Sequence, residues 1–126
     1  MTRYLLDTHF VYWWMTGDRR LGKAARTLIA EADCAVSVAS LWEMLLKNAK
    51  GKLPLPEAPI HESLEAQGFR VLSIHARHVE ATRQFGHMHD DPFDRLLAAT
   101  AASEDLVFLT RDEQIQRSGL PFVRTV

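Results

Sequence analysis

The sequence predicts one α/β layered domain built on a mainly parallel sheet. Short apolar runs alternate along the chain with longer segments whose apolar residues recur at helical spacing, which is the pattern of repeated strand–helix units. Residues 106–109 are almost purely apolar, as expected of a parallel strand that is buried on both faces. The 126 residues suffice for one hydrophobic core, so we expect a single domain over residues 1–126.

The first half of the chain contains two predicted strands, each followed by helix. In chain order the elements lie at residues 4–6 (strand), 10–15 and 21–32 (helices), 34–38 (strand) and 39–49 (helix). Within residues 21–32 the apolar side chains fall on one face of a helix. Pro54 and Pro56 exclude a helix after Gly51, so residues 53–56 are expected to be extended.

The second half repeats the alternation. Its elements are predicted at residues 60–66 (helix), 69–74 (strand), 75–85 and 92–103 (helices), 106–109 (strand), 113–117 (helix) and 122–124 (edge strand). Gly68 ends the first of these helices, and Pro92 opens the alanine-rich one because proline fits the first helical position. Residues 86–91 are predicted to form a polar loop.

The charge balance, the cysteine content and the apolar runs of the sequence limit the classes of protein to be considered. Lys and Arg number 15 against 16 Asp and Glu, a net charge of −1, which gives no support for a strongly basic nucleic-acid binder, although basic residues can still cluster locally. The single cysteine, Cys34, lies in an apolar run and is expected to be buried; it can form no internal disulfide. Charged residues interrupt the N-terminal apolar run early and no membrane-length apolar stretch occurs, so we expect a cytoplasmic protein.

Four acidic residues are placed where the predicted strands end. Asp7 and Asp112 follow strands, Glu43 lies on the helix after the second strand, and Asp94 lies in the first turn of the alanine-rich helix. The carboxyl ends of parallel strands share one edge of the sheet, which is where such folds bind ligands. Clustered carboxylates repel one another unless protons or hard cations neutralise them, and Mg²⁺ or Mn²⁺ suits both carboxylates and phosphate esters. Metal-assisted phosphodiester hydrolysis is the chemistry that this pattern favours.

Each acid also has a purely structural explanation. Asp7 could end a strand in a turn, and Asp112 could cap the helix that follows it. Asp91 precedes Pro92 and is interpreted as a helix cap, which would leave Asp94 facing the helix dipole.

Glu43 has a second interpretation through Ser40. The two residues match the Ser-x-x-Glu capping box, so Glu43 could simply cap a helix that starts near residue 39. A helix that starts at residue 37 would instead place both side chains on one face.

Four strings appear in the order and spacing of a known family. They are YLLDTH at 4–9, VSVASLWE at 36–43, DPFDRLLAATA at 91–101 and LTRD at 109–112. Together they resemble the PIN-domain ribonucleases and, more narrowly, the VapC toxins of bacterial toxin–antitoxin pairs. The resemblance covers nearly the whole chain. It implies a PIN-like three-layer fold, with helices on both faces of a parallel sheet of about five strands.

The resemblance also implies roles for single residues. Asp7 and Asp94 would be the principal ligands of Mg²⁺ (or Mn²⁺), with Glu43 and Asp112 completing the pocket directly or through water. Supporting hydroxyls would come from Thr8, Ser40 and Thr110. Members of the family cut RNA, commonly form homodimers, and are inhibited by an antitoxin whose C-terminal tail enters the active-site groove. A catalytically silent PIN-like module that binds RNA or protein is the alternative.

Other polar and aromatic residues remain open. Arg95, Arg111 and Lys47 are possible contacts for RNA phosphates, although solvated or structurally paired side chains explain them as well. The tryptophans (Trp13, Trp14 and Trp42) are more typical of a core or an interface than of base stacking. The pair His87 and His89 lacks the helical spacing of a zinc site and is interpreted as a surface loop.

Overall fold

The computed structural model describes residues 1–88 and 90–126. Within them a five-stranded, fully parallel sheet has the order β3-β2-β1-β4-β5. The strands are β1 (Arg3–Leu6), β2 (Asp33–Ser37), β3 (Arg70–Leu72), β4 (Val107–Leu109) and β5 (Val123–Arg124). Each overlaps a predicted strand, and β5 lies at an edge as expected. The α/β fold class and the parallel sheet are confirmed.

The helices agree closely with the sequence pattern. They are α1 (Thr8–Thr16), α2 (Lys23–Glu31), α3 (Val38–Ala49), α4 (Ile60–Ala66), α5 (Ala76–Ala81), α6 (Pro92–Ser103) and α7 (Glu113–Arg117), with 3-10 turns at Arg19–Leu21 and Thr82–Phe85. The helix predicted over 21–32 begins two residues late, because Gly22 adopts a φ of +83° that a helix does not accommodate. The helix predicted over 75–85 tightens into a 3-10 turn after Ala81.

Two apolar cores pack on opposite faces of the sheet. On β1, Leu5 belongs to one core and Leu6 to the other, as strand alternation requires. The Leu6 core is filled from α1, α2 and α4, and it also contains Cys34, which is buried as predicted. The Leu5 core is filled mainly by the alanine-rich α6 and by α7. The molecule therefore has three layers, with helices on both faces.

The order of the strands creates one crevice at the carboxyl edge. From β1 the chain builds β2 and β3 on one side, then crosses to place β4 and β5 on the other. Parallel sheets bind ligands at such a reversal, outside the carboxyl ends of the two central strands. The Asp7 amide donates a hydrogen bond of 3.0 Å to the Leu109 carbonyl, which joins the ends of β1 and β4.

None of the helices in the described part of the chain combines the length and apolar character needed to cross a lipid bilayer.

Candidate active site

Asp7 lies at the reversal point and is almost completely buried. Its backbone precedes α1, and one carboxylate oxygen accepts a hydrogen bond of 3.4 Å from the His9 amide as the helix cap. The other oxygen accepts a bond of 2.5 Å from the Thr110 hydroxyl. Burial raises the pKa of Asp7, while the bond from Thr110 opposes that rise. Asp7 thus both caps a helix and presents a carboxylate to the crevice.

Asp112 caps α7, as its structural interpretation allowed. One of its oxygens accepts hydrogen bonds from the amides of Gln114 and Ile115, at 2.8 and 3.1 Å. Its own amide donates to the Thr110 hydroxyl at 3.0 Å. Thr110 therefore connects the backbone of Asp112 to the carboxylate of Asp7, and it is buried.

Ser40 and Glu43 share the inner face of α3, one turn apart. The helix begins at Val38 and is capped by the Ser37 hydroxyl, which accepts from the Ala39 amide at 3.0 Å. The capping-box interpretation of Ser40 and Glu43 is therefore wrong, and the earlier helix start that was left open is the one observed. Both side chains are buried in the α3 interface.

The hydroxyls of Ser40 and Thr8 lie 2.9 Å apart and form a buried hydrogen bond between α3 and α1. This bond ties the helix carrying Glu43 to the helix capped by Asp7. Ser40 and Thr8 thus link two of the elements that carry the acids.

Glu43 combines a paired and an unpaired oxygen. Its Oε2 accepts a bond of 2.9 Å from Lys47 Nζ, one turn further along α3. Its Oε1 is buried and has no hydrogen-bond partner among the described residues. An unsatisfied buried carboxylate oxygen is costly, and its presence points to a group that the protein alone does not supply.

Asp94 is buried and lies within electrostatic range of the other acids of the site. Asp91 caps α6, as predicted, by accepting hydrogen bonds from the amides of Phe93 and Asp94 at 2.9 and 3.2 Å. Burial raises the pKa of Asp94 to about 8, with further contributions from repulsion by Asp7, Asp91, Glu43 and Asp112. The sequence-predicted quartet therefore lies within electrostatic range of one carboxyl group.

The donor set fits a hard divalent cation in its chemistry. Carboxylate oxygens are the ligands that Mg²⁺ and Mn²⁺ prefer, and the orphaned Oε1 of Glu43 adds a buried acceptor. Among the described residues no three acidic, histidine or cysteine side chains stand close enough to hold one ion jointly. The acids thus lie within electrostatic range of Asp94 without forming a finished coordination sphere.

The three basic residues considered for phosphate contacts have partners within the protein. Lys47 pairs with Glu43, as described above. Arg95 donates to the Met88 carbonyl at 3.5 Å and forms an ion pair of 3.3 Å with Asp90.

Arg111 makes its hydrogen bonds with the backbone. Its guanidinium donates at 2.5–3.0 Å to the carbonyl oxygens of Arg20, Leu21 and Val126.

His9 and Phe10 have no functional role predicted from the sequence. These residues line a cleft of about 190 Å³ together with Trp13, Arg111 and two of the acids, Asp7 and Asp112. The sequence could have indicated this, because His9 and Trp13 are four residues apart and therefore share one face of the helix that follows Asp7. His89, which was weighed as one half of a zinc pair, lies outside the described residues.

The fold and the site together define an α/β protein with a carboxylate pocket at the reversal point of a parallel sheet. Comparison with known proteins identifies its family. Residues 4–119 match the PIN domain. The whole chain is 32% identical to the ribonuclease VapC22 of Mycobacterium tuberculosis, over 99% of that protein. The chain therefore belongs to the PIN-domain family, in its VapC-type branch.

Solved structures agree at the level of the fold. A toxin–antitoxin complex from Klebsiella pneumoniae superposes with a TM-score of 0.68 at 21% identity, covering 97% of this chain and 96% of that one. FitAcB from Neisseria gonorrhoeae gives 0.64 at 24% identity, covering 97% and 95%. DNA-bound VapBC from Salmonella typhimurium gives 0.61 at 20% identity, covering 100% and 98%.

Proposed function

We propose that this protein is a metal-dependent endoribonuclease that acts as the toxin of a toxin–antitoxin pair. The observation that carries the proposal is the convergence of Asp7, Glu43, Asp91 and Asp112 on the buried carboxyl of Asp94. A fold gains no stability from such a cluster, because burial and mutual repulsion oppose ionisation of its members. The ribonuclease relative supports RNA as the substrate.

In this proposal Asp7 and Asp94 are the principal ligands of Mg²⁺ or Mn²⁺, and Glu43 and Asp112 contribute directly or through water. The cation supplies positive charge for hydrolysis of an RNA phosphodiester bond. Thr110 orients the carboxylate of Asp7 through its hydrogen bond of 2.5 Å. The Thr8–Ser40 bond holds α1 and α3 in the register that brings Glu43 to the pocket.

RNA cleavage by the purified chain tests the proposal. We expect cleavage of single-stranded RNA with Mg²⁺ or Mn²⁺, loss of cleavage with a chelator, and a loss of at least about a hundredfold in Asp7→Asn and Asp94→Asn. Asp105→Asn is the matched control, since Asp105 precedes β4 at the opposite edge of the sheet. Its φ of +56° is one that asparagine also adopts readily.

Full activity in both Asp7→Asn and Asp94→Asn would refute the proposal. Binding of RNA without cleavage under every metal condition would favour the alternative, a catalytically silent PIN-like module. In cells, expression without the antitoxin is expected to arrest growth for the wild type and for Asp105→Asn, but not for Asp7→Asn or Asp94→Asn. We propose that the protein acts in the cytoplasm.

We propose a cognate antitoxin as the protein partner, since related folds were solved as toxin–antitoxin complexes. An apolar groove between α3 and the extended segment before α4 offers a docking surface; it includes Leu41, Leu45, Leu55 and Ile60. Leu45 is 47% exposed there. We expect the product of the neighbouring reading frame to inhibit wild-type cleavage, and Leu45→Glu to weaken that inhibition.

We also propose a homodimer. Val79 on α5 is 53% exposed beside a cleft lined by Pro92 and Leu96, so this surface can bury apolar area against a second copy. Light scattering is expected to give a dimer mass for the wild type and a monomer mass for Val79→Glu. A monomeric wild type at high concentration would contradict the proposal.

A further inference from the structure

The cleft beside Asp7 differs in character from the acidic pocket that it adjoins. Asp7, Asp112 and Arg111 line it together with the rings of His9, Phe10 and Trp13. The His9 side chain is 58% exposed, and its ring centroid lies 5.8 Å from that of Trp13. One exposed ring and one partly exposed ring thus line a cleft that two of the carboxylates also line.

The guanidinium of Arg111 contacts both the backbone and the aromatic rings of the cleft. Its guanidinium carbon lies 5.1 Å from the ring centroid of Phe10 and 5.8 Å from that of Trp13. Its donors are directed to the backbone carbonyls described above. The hydrogen bonds fix the guanidinium, and the fixed cation in turn holds the two aromatic side chains.

The chemistry of the walls favours a flat group that carries no negative charge. A second phosphate would approach the carboxylates of Asp7 and Asp112 and would be repelled. A planar heterocycle gains stacking energy on aromatic side chains and needs no particular hydrogen-bond pattern. The volume of about 190 Å³ is small beside the usual range for drug-sized ligands, so it suits a single ring system.

We propose that this cleft holds one unpaired nucleobase of the RNA substrate, next to the phosphodiester that is cut. Sharing Asp7 between the cleft and the acidic pocket places the base and the scissile phosphate on neighbouring positions of one strand. The base must be unpaired, because a ring stacked in this cleft is removed from its helix. This inference rests on the proposed RNA-cleaving function and adds a specificity site to it.

Binding without cleavage tests the inference. Asp94→Asn is titrated, without metal, into a fluorescent single-stranded RNA of mixed sequence and into the same RNA with abasic central positions. We expect the RNA with bases to bind about tenfold more tightly than the abasic RNA, a difference of the size of one stacked base. Adding Trp13→Ala is expected to abolish the difference, and adding Trp13→Phe is expected to retain most of it.

Two further variants support the comparison. Trp42→Ala removes a tryptophan that is 57% exposed on α3 and does not line the cleft, so the preference for bases is expected to stay. His9→Ala alters an exposed ring of the cleft without opening the core, and it replaces Trp13→Ala if that variant fails to fold. A reduced preference in His9→Ala supports the inference.

The outcomes separate this inference from the proposed function. If wild-type protein cleaves RNA but Trp13→Ala and His9→Ala keep the full preference for bases, the cleft is not a base site and a protein side chain becomes the better occupant. If the preference depends on Trp13 but wild-type protein cleaves no RNA, the base site stands and the ribonuclease function fails.

Discussion

Asp94 lies where ionisation is unfavourable, and this has a direct consequence for stability. In the unfolded chain its carboxyl ionises near the ordinary pKa of 3.8, whereas in the folded protein its pKa is about 8. Between these values the folded protein keeps a proton that the unfolded chain has lost. The contribution of Asp94 to the free energy of unfolding therefore declines as pH rises from 3.8 to about 8.

Replacing Asp94 by Asn is expected to stabilise the metal-free protein at alkaline pH. The amide cannot ionise, so the free energy of unfolding of the variant does not fall with rising pH at this position. We expect it to exceed that of the wild type by about 1–2 kcal/mol above pH 8. Thermal melting with a chelator, followed from pH 5 to pH 9, measures this. Asp105→Asn is the control and is expected to follow the wild type. A melting temperature lower than that of the wild type throughout would contradict the account of Asp94.

Thr110 is expected to matter through its hydroxyl group. Thr110→Val keeps the shape but removes the donor to Asp7 and the acceptor of the Asp112 amide. We expect a loss of about 1–3 kcal/mol in the free energy of unfolding. Loss of the Asp7 bond also raises the pKa of Asp7 further, so the acid limb of the cleavage profile is expected to move to higher pH.

Urea unfolding and a pH–rate profile measure the two effects, and Thr110→Ser is the matched control. Thr110→Ser retains the hydroxyl and is expected to keep the wild-type profile. If Thr110→Val and Thr110→Ser behave alike, the hydrogen bonds are not the reason that Thr110 is needed.

Several residues of the site could be predicted individually, and others could not. The caps at Asp91 and Asp112 follow from local rules, since a cap needs only its own helix. The pairing of Lys47 with Glu43 is also local, at one turn of α3. The contacts of Arg111 with Leu21 and Val126 join distant parts of the chain, so no local pattern indicates them.

At the scale of the element, the start of α3 determines where Glu43 points. Ser37 and Ser40 can both cap a helix, and moving the cap by three positions corresponds to a rotation of about 300° about the helix axis. The sequence could not choose between Ser37 and Ser40 as the cap, because both are serines before an apolar helix. Tertiary packing favours Ser37 as the cap, because the side chain of Ser40 then forms its buried hydrogen bond with Thr8.

Substitutions at Ser37 test this assignment of the cap. Ser37→Ala is expected to lower the free energy of unfolding by about 1 kcal/mol, because the Ala39 amide loses its acceptor. Glycine is tolerated at a helix cap, so Ser37→Gly is expected to cost only a few tenths of a kcal/mol. Urea unfolding measures both. An alanine variant no less stable than the glycine variant would contradict a capping role for Ser37.

At the scale of the molecule, alternation of strands and helices predicted the layers but not the order of the strands. Apolar runs show that a strand is buried, and they carry little information about which neighbour it pairs with. The pairing of β1 with both β2 and β4 is what forms the crevice. The strand-end positions of the acids and the family resemblance both predicted that the acids lie together, and the strand order shows which strand ends are neighbours.

Arg111 shows a further property of the whole molecule. It connects the turn at Arg19–Leu21, the residue Val126 and the aromatic face of α1 from a position next to Asp112. The side chain of Arg111 thus connects several segments of the chain next to the candidate active site. Arg111, which the sequence suggests as a contact for RNA phosphates, supports in the structure the aromatic side chains of the cleft beside Asp7.

The most direct test of the central claim is a calorimetric titration of the wild-type protein with Mn²⁺ near pH 7. We expect binding in the millimolar range or tighter, with release of a proton because Asp94 is protonated at that pH, and affinity that increases toward pH 8. Asp94→Asn is expected to lose binding and Asp105→Asn to keep it. Equal binding by Asp94→Asn, or none by the wild type, would contradict a metal-binding role for the acidic pocket.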